Sequence, residues 1–185
     1  LAQSLQTTIT RNLDPLDPAV LSITQIHSGT ADNVIPDNAE LRGTVRTLSE
    51  EALDLLERRM AEITDLTAQA FNCKSNFEFA RKYPPTINHA KEAELCAEVA
   101  RAIVGPENVD QTIRPSMGAE DFAFMLKAKP GCYVWLGNGD GDHRSKGHGL
   151  GPCTLHNGSY DFNDNLLPIG ASYWVELAKR WLAKT

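Results

Sequence analysis

The chain has little of what would place it in several broad classes. No Cys-x-x-Cys pair occurs among its four cysteines, Cys73, Cys96, Cys132 and Cys153, and their wide spacing predicts a reduced, cytoplasmic protein with buried thiols. No apolar run approaches the roughly 20 residues that a membrane-spanning helix needs, so a membrane location is not expected. Eighteen basic residues are outnumbered by 24 acidic ones, for a net charge of −6. The basic residues are scattered without interleaved aromatics, which argues against nucleic-acid binding. Leu1–Gln6 has neither the basic start nor the apolar core of a secretory leader, and is expected to be the interior of a helix. No internal repeat is found. Against these absences, 42% hydrophobic and 23% charged residues are ordinary for a folded, packed protein.

The hydrophobic spacing predicts the elements. Leu1, Leu5, Ile9 and Leu13 recur every four residues as a helix stripe, broken by Asp14-Pro15 and Asp17-Pro18. Val20–Ile26 and Glu40–Thr47 alternate as half-buried strands. Ser49 with Glu50 and Glu51 opens a long helix whose core stripe is Leu53, Leu56, Met60, Ile63 and Leu66. Asn76–Ala80 alternates as a third strand. Tyr83-Pro84-Pro85 reads as a domain crossing, dividing the chain into 1–83 and 84–185. Beyond it, 90–104 forms a helix ended by Gly105-Pro106, and Cys132–Leu136 is an apolar run typical of a strand covered on both faces. Leu166–Lys184 is the terminal helix, with Leu167, Trp174, Leu177 and Trp181 at helical spacing. The order of the first five elements matches a ferredoxin-like split βαβ unit without its first strand. The Gly-rich stretch 137–151 is long for a loop and is a candidate for function.

Two blocks carry chemistry. Arg114-Pro115-Ser116-Met117-Gly118-Ala119-Glu120-Asp121-Phe122 places a glycine and adjacent acids at a loop-to-helix junction, where backbone N–H groups can face an anion. Leu155-His156-Asn157-Gly158-Ser159-Tyr160-Asp161-Phe162-Asn163-Asp164 sets a histidine on a short turn before the last helix. Together they resemble the C-terminal active-site blocks of the dinuclear-metal aminoacylase and carboxypeptidase family, most closely its hippurate hydrolase-like subgroup. The resemblance implies an α+β and α/β protein: residues 1–83 as most of a ferredoxin-like lid and dimerisation domain, and 84–185 as the C-terminal part of a zinc-peptidase-like α/β catalytic domain. It implies hydrolysis of N-acyl amino acids by two divalent ions (zinc, manganese or cobalt) and a glutamate base, in a homodimer formed through the lid. It also implies that the chain begins partway through such an enzyme. The general base and most metal ligands would then lie upstream of Leu1, leaving one protein ligand here and no autonomous activity.

By that resemblance His156 is the metal ligand; otherwise it is a hydrogen-bonded turn histidine. Asn33, in Asn33-Val34-Ile35-Pro36, and Arg46, thirteen residues on, resemble a substrate-binding pair. An amide can donate to a developing oxyanion, and a guanidinium can clamp a carboxylate bidentately. Alone, Asn33 reads as an Asx-turn and Arg46 as a solvated strand residue. Gly118 would let the backbone approach the substrate carboxylate. Glu120 and Asp121 read as first-turn acids that are structural or support the site from behind, since adjacent helical side chains point about 100° apart. His27 is more often a packing residue than a catalyst and is left unassigned, and His89 reads as a helix-start residue. Two further readings stay open. His143, His148, Cys153 and His156, spaced H-x4-H-x4-C-x2-H, would form a mononuclear zinc hydrolase site. Alternatively, the chain is a ferredoxin-like interaction or ligand-sensing module without catalysis.

Overall fold

The structure, a computed structural model, describes residues 1–139 and 155–183. It divides into two compact units: Leu1–Thr86 with Pro115–Phe124, and Ile87–Arg114 with Met125–Thr185.

The first unit contains helix α1 (Ala2–Asn12), strands β1 (Ala19–Ser28) and β2 (Ala39–Thr47), and helix α2 (Glu50–Ala70). Asp14 ends the first helix by turning the chain: its carbonyl accepts the amide of Asp17 at 2.9 Å, and its Oδ1 accepts the amide of Leu16 at 2.9 Å. The strands pair antiparallel from Ala19 opposite Thr47 to Ser28 opposite Ala39, with one irregularity between Ile23 and Gln25. Gly43 is required there, because a Cβ would lie 2.4 Å from the carbonyl oxygen of Ser22. Ser49 caps α2, accepting the amide of Ala52 at 3.1 Å while its hydroxyl donates to Asp17 at 2.8 Å. The two helices pack on each other, α1 against β1 and α2 against β2. Leu5, Leu21 and Met60 form the core, with Ile9, Ile23, Val45, Ile63, Phe77 and Phe79 around it.

Two features of this unit depart from the sequence reading. Asn76–Ala80 is not a hydrogen-bonded strand, and β1 and β2 form the only sheet among the described residues. Phe77 and Phe79 are nonetheless half-buried between exposed neighbours, so the two-residue period marked the packing side without a ladder to follow. Arg81 ties the segment's end to α2 through Asp54 at 2.6 Å and through Glu57. In α2 the buried face is Ala52, Leu56, Met60 and Thr64, whereas Leu66 is 64% exposed.

The second unit is built on helices α3 (Ala90–Val104) and α5 (Leu167–Leu182), which pack together. The short α4 (Phe122–Ala128) carries the chain from the first unit into the second. Leu95, Cys96, Val99 and Leu126 are buried here. The strand expected at Cys132–Leu136 is absent: Val134, Trp135 and Leu136 are 42%, 65% and 56% exposed, and no ladder forms among the described residues. A lone apolar run has the composition of a covered strand but cannot be one without partners to bond its backbone. Its backbone bonds instead to side chains. Asn88 receives the Tyr133 amide at 2.7 Å on Oδ1 and donates from Nδ2 to the Tyr133 carbonyl at 2.8 Å. His89, at the cap of α3, donates its amide to Gly131 at 3.1 Å, and its Nδ1 accepts the Gly131 amide at 3.2 Å. The helix-start reading of His89 holds. The described residues are therefore α+β as a whole, with all the paired strands in the first unit.

Leu56→Ala should lower the unfolding free energy by about 2–5 kcal/mol, since the side chain is fully buried. Leu66→Ala should stay within about 0.5 kcal/mol. Urea titration of the two variants measures both, and equal losses would show that the sequence stripe, not the observed face, forms the core.

Candidate functional site

In the first unit, the sheet and the returning segment 115–124 bring two of the sequence candidates together. Arg46 lies near the end of β2, exposed, and its guanidinium donates to the carbonyl of Met117, the residue before Gly118. The contact spans 71 residues of sequence. One of the five guanidinium N–H donors is used in this way, and a carboxylate arriving at Arg46 would compete with a neutral carbonyl. The Gly118 amide is also engaged, donating to Ser116 Oγ at 3.2 Å. A Cβ on Gly118 would meet only that hydroxyl, at 3.4 Å, so the glycine is not demanded by crowding in this conformation.

Asn33 lies on the exposed connection between β1 and β2, with no side-chain hydrogen bond among the described residues. The connection is closed at its base by Ser28 Oγ donating to the carbonyl of Asn38 at 3.1 Å. Gly29, at φ +70°, stands over Pro36. Its tip is apolar and open, Val34 and Ile35 being 62% and 94% exposed. His27 is exposed on β1, in register with Glu40, so it is not a packing residue in this fold. Glu120 Oε1 accepts the amide of Phe122 at 3.1 Å, and the carbonyls of Glu120 and Asp121 accept the amides of Ala123 and Phe124. Both acids precede α4 rather than lying in its first turn, and only Glu120 caps the helix with its side chain.

In the second unit, His156 stands on a turn with φ +63°, one of two non-glycine residues in the left-handed region among the described residues. A histidine adopts that conformation at some cost, and the following residues stabilise it. Asn157 accepts the Ser159 amide on Oδ1 at 2.8 Å and the Tyr160 amide on its carbonyl at 3.0 Å. The imidazole is exposed and has no hydrogen-bond partner among the described residues. The turn leads into 161–163, which Asn138 holds. Asn138 Oδ1 accepts the Asn163 amide at 2.9 Å, and its Nδ2 donates to the Asp161 carbonyl at 2.7 Å. Asn163 Nδ2 returns a bond to the carbonyl of Asn138 at 3.2 Å. No group of three or more His, Cys, Asp and Glu side chains that could hold a metal occurs among the described residues. His156 therefore fits one position in a coordination sphere and does not make a site alone. His143, His148 and Cys153, the other members of the mononuclear zinc reading, lie outside the described residues.

The model of the peptidase family M20/M25/M40 matches residues 14–180. The chain belongs to this family. It is 35% identical to a hippurate hydrolase from Campylobacter jejuni over 98% of its own length and 45% of the relative's. It is 37% identical to an N-acetyldiaminopimelate deacetylase from Bacillus velezensis, covering 96% of this chain and 45% of that one. A crystal structure of a dinuclear metal binding peptidase of the M20 family from Bacillus subtilis superposes with a TM-score of 0.73 at 28% identity, over 99% of this chain and 46% of the other. The chain thus spans less than half the length of these relatives. The hippurate hydrolase-like subgroup suggested by the sequence blocks is supported at this level of identity.

Sequence reasoning missed Asn138, Ser116 and Asn88. Each works by bonding backbone, a role that leaves no spacing signature. Asn138 stands next to Gly139, at φ +70°, and that pair was a legible turn signal. Asn138→Ala should speed hydrogen exchange at the Asn163 amide by about tenfold or more, the loss of one part-buried bond. Asn138→Asp, which keeps the acceptor, should preserve most of that protection. Amide exchange followed by NMR decides it, and an unchanged Asn163 amide in the Ala variant would show that the bond does not hold the segment.

Proposed function

We propose that these 185 residues form part of a metal-dependent amidohydrolase that cleaves N-acyl amino acids of the hippurate type into a carboxylic acid and an amino acid. The observation that carries the reading is His156, an open imidazole on a preformed turn, within a chain that matches its family model over 14–180. When bound, two divalent ions, zinc, manganese or cobalt, supply an activated water and polarise the scissile carbonyl. His156 is then one protein ligand. The remaining ligands and the general base come from polypeptide outside the 185 residues, which fits both the absence of a ligand cluster among the described residues and the relatives' greater length.

In this reading residues 1–83 are the ferredoxin-like lid and dimerisation domain, and residues 84–185 belong to the catalytic domain. Arg46 clamps the free carboxylate of the substrate, exchanging the Met117 carbonyl for it. Gly118 donates its amide to the same carboxylate once the Ser116 hydroxyl turns away. Asn33, on its open loop, donates to the developing oxyanion. The partner is a small N-acyl amino acid, and the enzyme is a cytoplasmic homodimer. An isolated 185-residue chain is expected to be metal-poor and inert, and to associate through its exposed apolar surface.

His156→Ala in the intact enzyme should remove at least one metal per subunit and lower turnover by more than about 100-fold, because losses one shell further out already cost 10–100-fold. Elemental analysis beside a hippurate hydrolysis assay measures this, and full metal occupancy with near-normal turnover would exclude His156 as a ligand. Arg46→Ala should weaken substrates bearing a free α-carboxylate by about 2–5 kcal/mol in kcat/KM while sparing their methyl esters. Equal losses for acids and esters would show that Arg46 only buttresses segment 115–124.

A further inference from the structure

The chain holds two Asn-Gly dipeptides, Asn138-Gly139 and Asn157-Gly158, both in the second unit. Asparagine before glycine is chemically labile, because a residue without a Cβ leaves its amide nitrogen open to the preceding carboxamide. The fold treats the two dipeptides differently. Asn138 is held at both ends of its carboxamide by another segment: Oδ1 accepts the Asn163 amide at 2.9 Å, and Nδ2 donates to the Asp161 carbonyl at 2.7 Å. Its Cγ cannot turn toward Gly139 unless both bonds break. Asn157 is bound within its own turn, where Oδ1 accepts the Ser159 amide at 2.8 Å. Its Nδ2 has no hydrogen-bond partner among the described residues, and neither has the Gly158 amide.

The Asn157 bond also favours a reaction. The hydrogen-bonded ring from Oδ1 to the Ser159 amide encloses the Asn157–Gly158 peptide, so the side chain folds forward over the Gly158 nitrogen. An N–H that already donates to Oδ1 stabilises the negative charge that gathers there when a nucleophile adds to Cγ. Gly158 is exposed, and a Cβ built on it would meet nothing within 4 Å, so water reaches the turn. We propose that Asn157 is a self-modification site, where the Gly158 nitrogen displaces the side-chain amide to form a succinimide that water opens to isoaspartate and aspartate. The N–Cγ bond forms, the Cγ–Nδ2 bond breaks, and Nδ2 leaves as ammonia with the proton of the Gly158 nitrogen. Water then adds to one ring carbonyl and breaks its bond to the ring nitrogen, which takes up a proton. Attack at Cγ gives aspartate in a normal chain. Attack at the backbone carbonyl gives isoaspartate, with the chain routed through the side chain. No electrons are gained or lost in either step.

The product falls on the turn that carries His156. The Asn157 carbonyl accepts the Tyr160 amide at 3.0 Å, directly after the left-handed residue. Isoaspartate inserts a methylene into the main chain between residues 157 and 158 and takes that carbonyl out of the backbone. The turn bond loses its register, and a carboxylate is added next to His156 in the chain. The reaction needs nothing from the proposed hydrolysis and stands apart from it. In the proposed hydrolase it alters the turn that presents the metal ligand.

The test incubates the intact protein at pH 8 and 37 °C for several weeks, with and without enough guanidinium chloride to unfold it. Peptide mapping by mass spectrometry follows both dipeptides, and fragmentation separates isoaspartate from aspartate. In the folded protein Asn157 should convert at least about tenfold faster than Asn138, where two hydrogen bonds must break first. In denaturant the two rates should converge. Gly158→Ala, which the open turn accommodates, should slow conversion at Asn157 by about tenfold and leave Asn138 unchanged. Equal rates at the two sites in the folded protein, or a faster Asn138, would overturn the proposal. So would an Asn157 that stays intact when folded and reacts only in denaturant. A tenfold difference that persists after unfolding would overturn it too, since local sequence and not the fold would then separate the sites. The readout is mass, so its outcome is independent of whether His156 binds a metal.

Discussion

Backbone polar groups that leave a helix or ladder must find partners, and in the second unit this requirement is met by side chains of Asn and His. Segment 131–139 has no strand partner among the described residues. Asn88 presents its amide as a surrogate peptide group to Tyr133, and His89 does the same for Gly131 with its backbone N–H and ring nitrogen. At the other end Asn138 and Asn163 bond reciprocally. The position of His156 depends on this chain of contacts, since the turn that carries it runs directly into the residues Asn138 holds. In the proposed role of His156 the backbone would have to be fixed first, because the ring itself must be left free.

The first unit treats its candidate binding groups differently. Arg46 and the Gly118 amide are both occupied by atoms of their own unit, a carbonyl and a hydroxyl. Such internal partners keep the donors from drifting and keep the guanidinium near the backbone it would serve. They also set a competition, in which a carboxylate gains by charge over either neutral acceptor. Asn33 has no such restraint, and its loop is fixed only at the base, by Ser28 and Asn38. Preorganisation in this unit is therefore uneven, tight at the sheet end and loose at the loop.

The helices were legible because periodicity and caps are local: Ser49 and Gly105 mark the limits of α2 and α3 in the sequence as they do in the fold. The strands β1 and β2 were legible because each supplies the other's ladder at short range. Asn76–Ala80 was read as a strand from its alternation and Cys132–Leu136 from its composition, and neither has a partner among the described residues. The His156 block was visible as a pattern, but its left-handed backbone was not, since nothing in Leu155-His156-Asn157 distinguishes that turn from others. The contact of Arg46 with Met117 could not be read either, because 71 residues separate the two and no local rule reaches that far.

That separation bears on how the protein is made. The first unit is discontinuous: it holds residues up to Thr86 and then takes in Pro115–Phe124. A ribosome delivering the chain from its N-terminus completes α1, the sheet and α2 early. It cannot complete the Arg46 environment until the whole of α3 has also emerged. The first unit must then wait, partly finished, through a stretch of synthesis that lasts a few seconds at ordinary elongation rates of about 5–20 residues per second. Its guanidinium meets solvent throughout that interval, and the Arg46 end of the sheet is the last part of the unit to be closed.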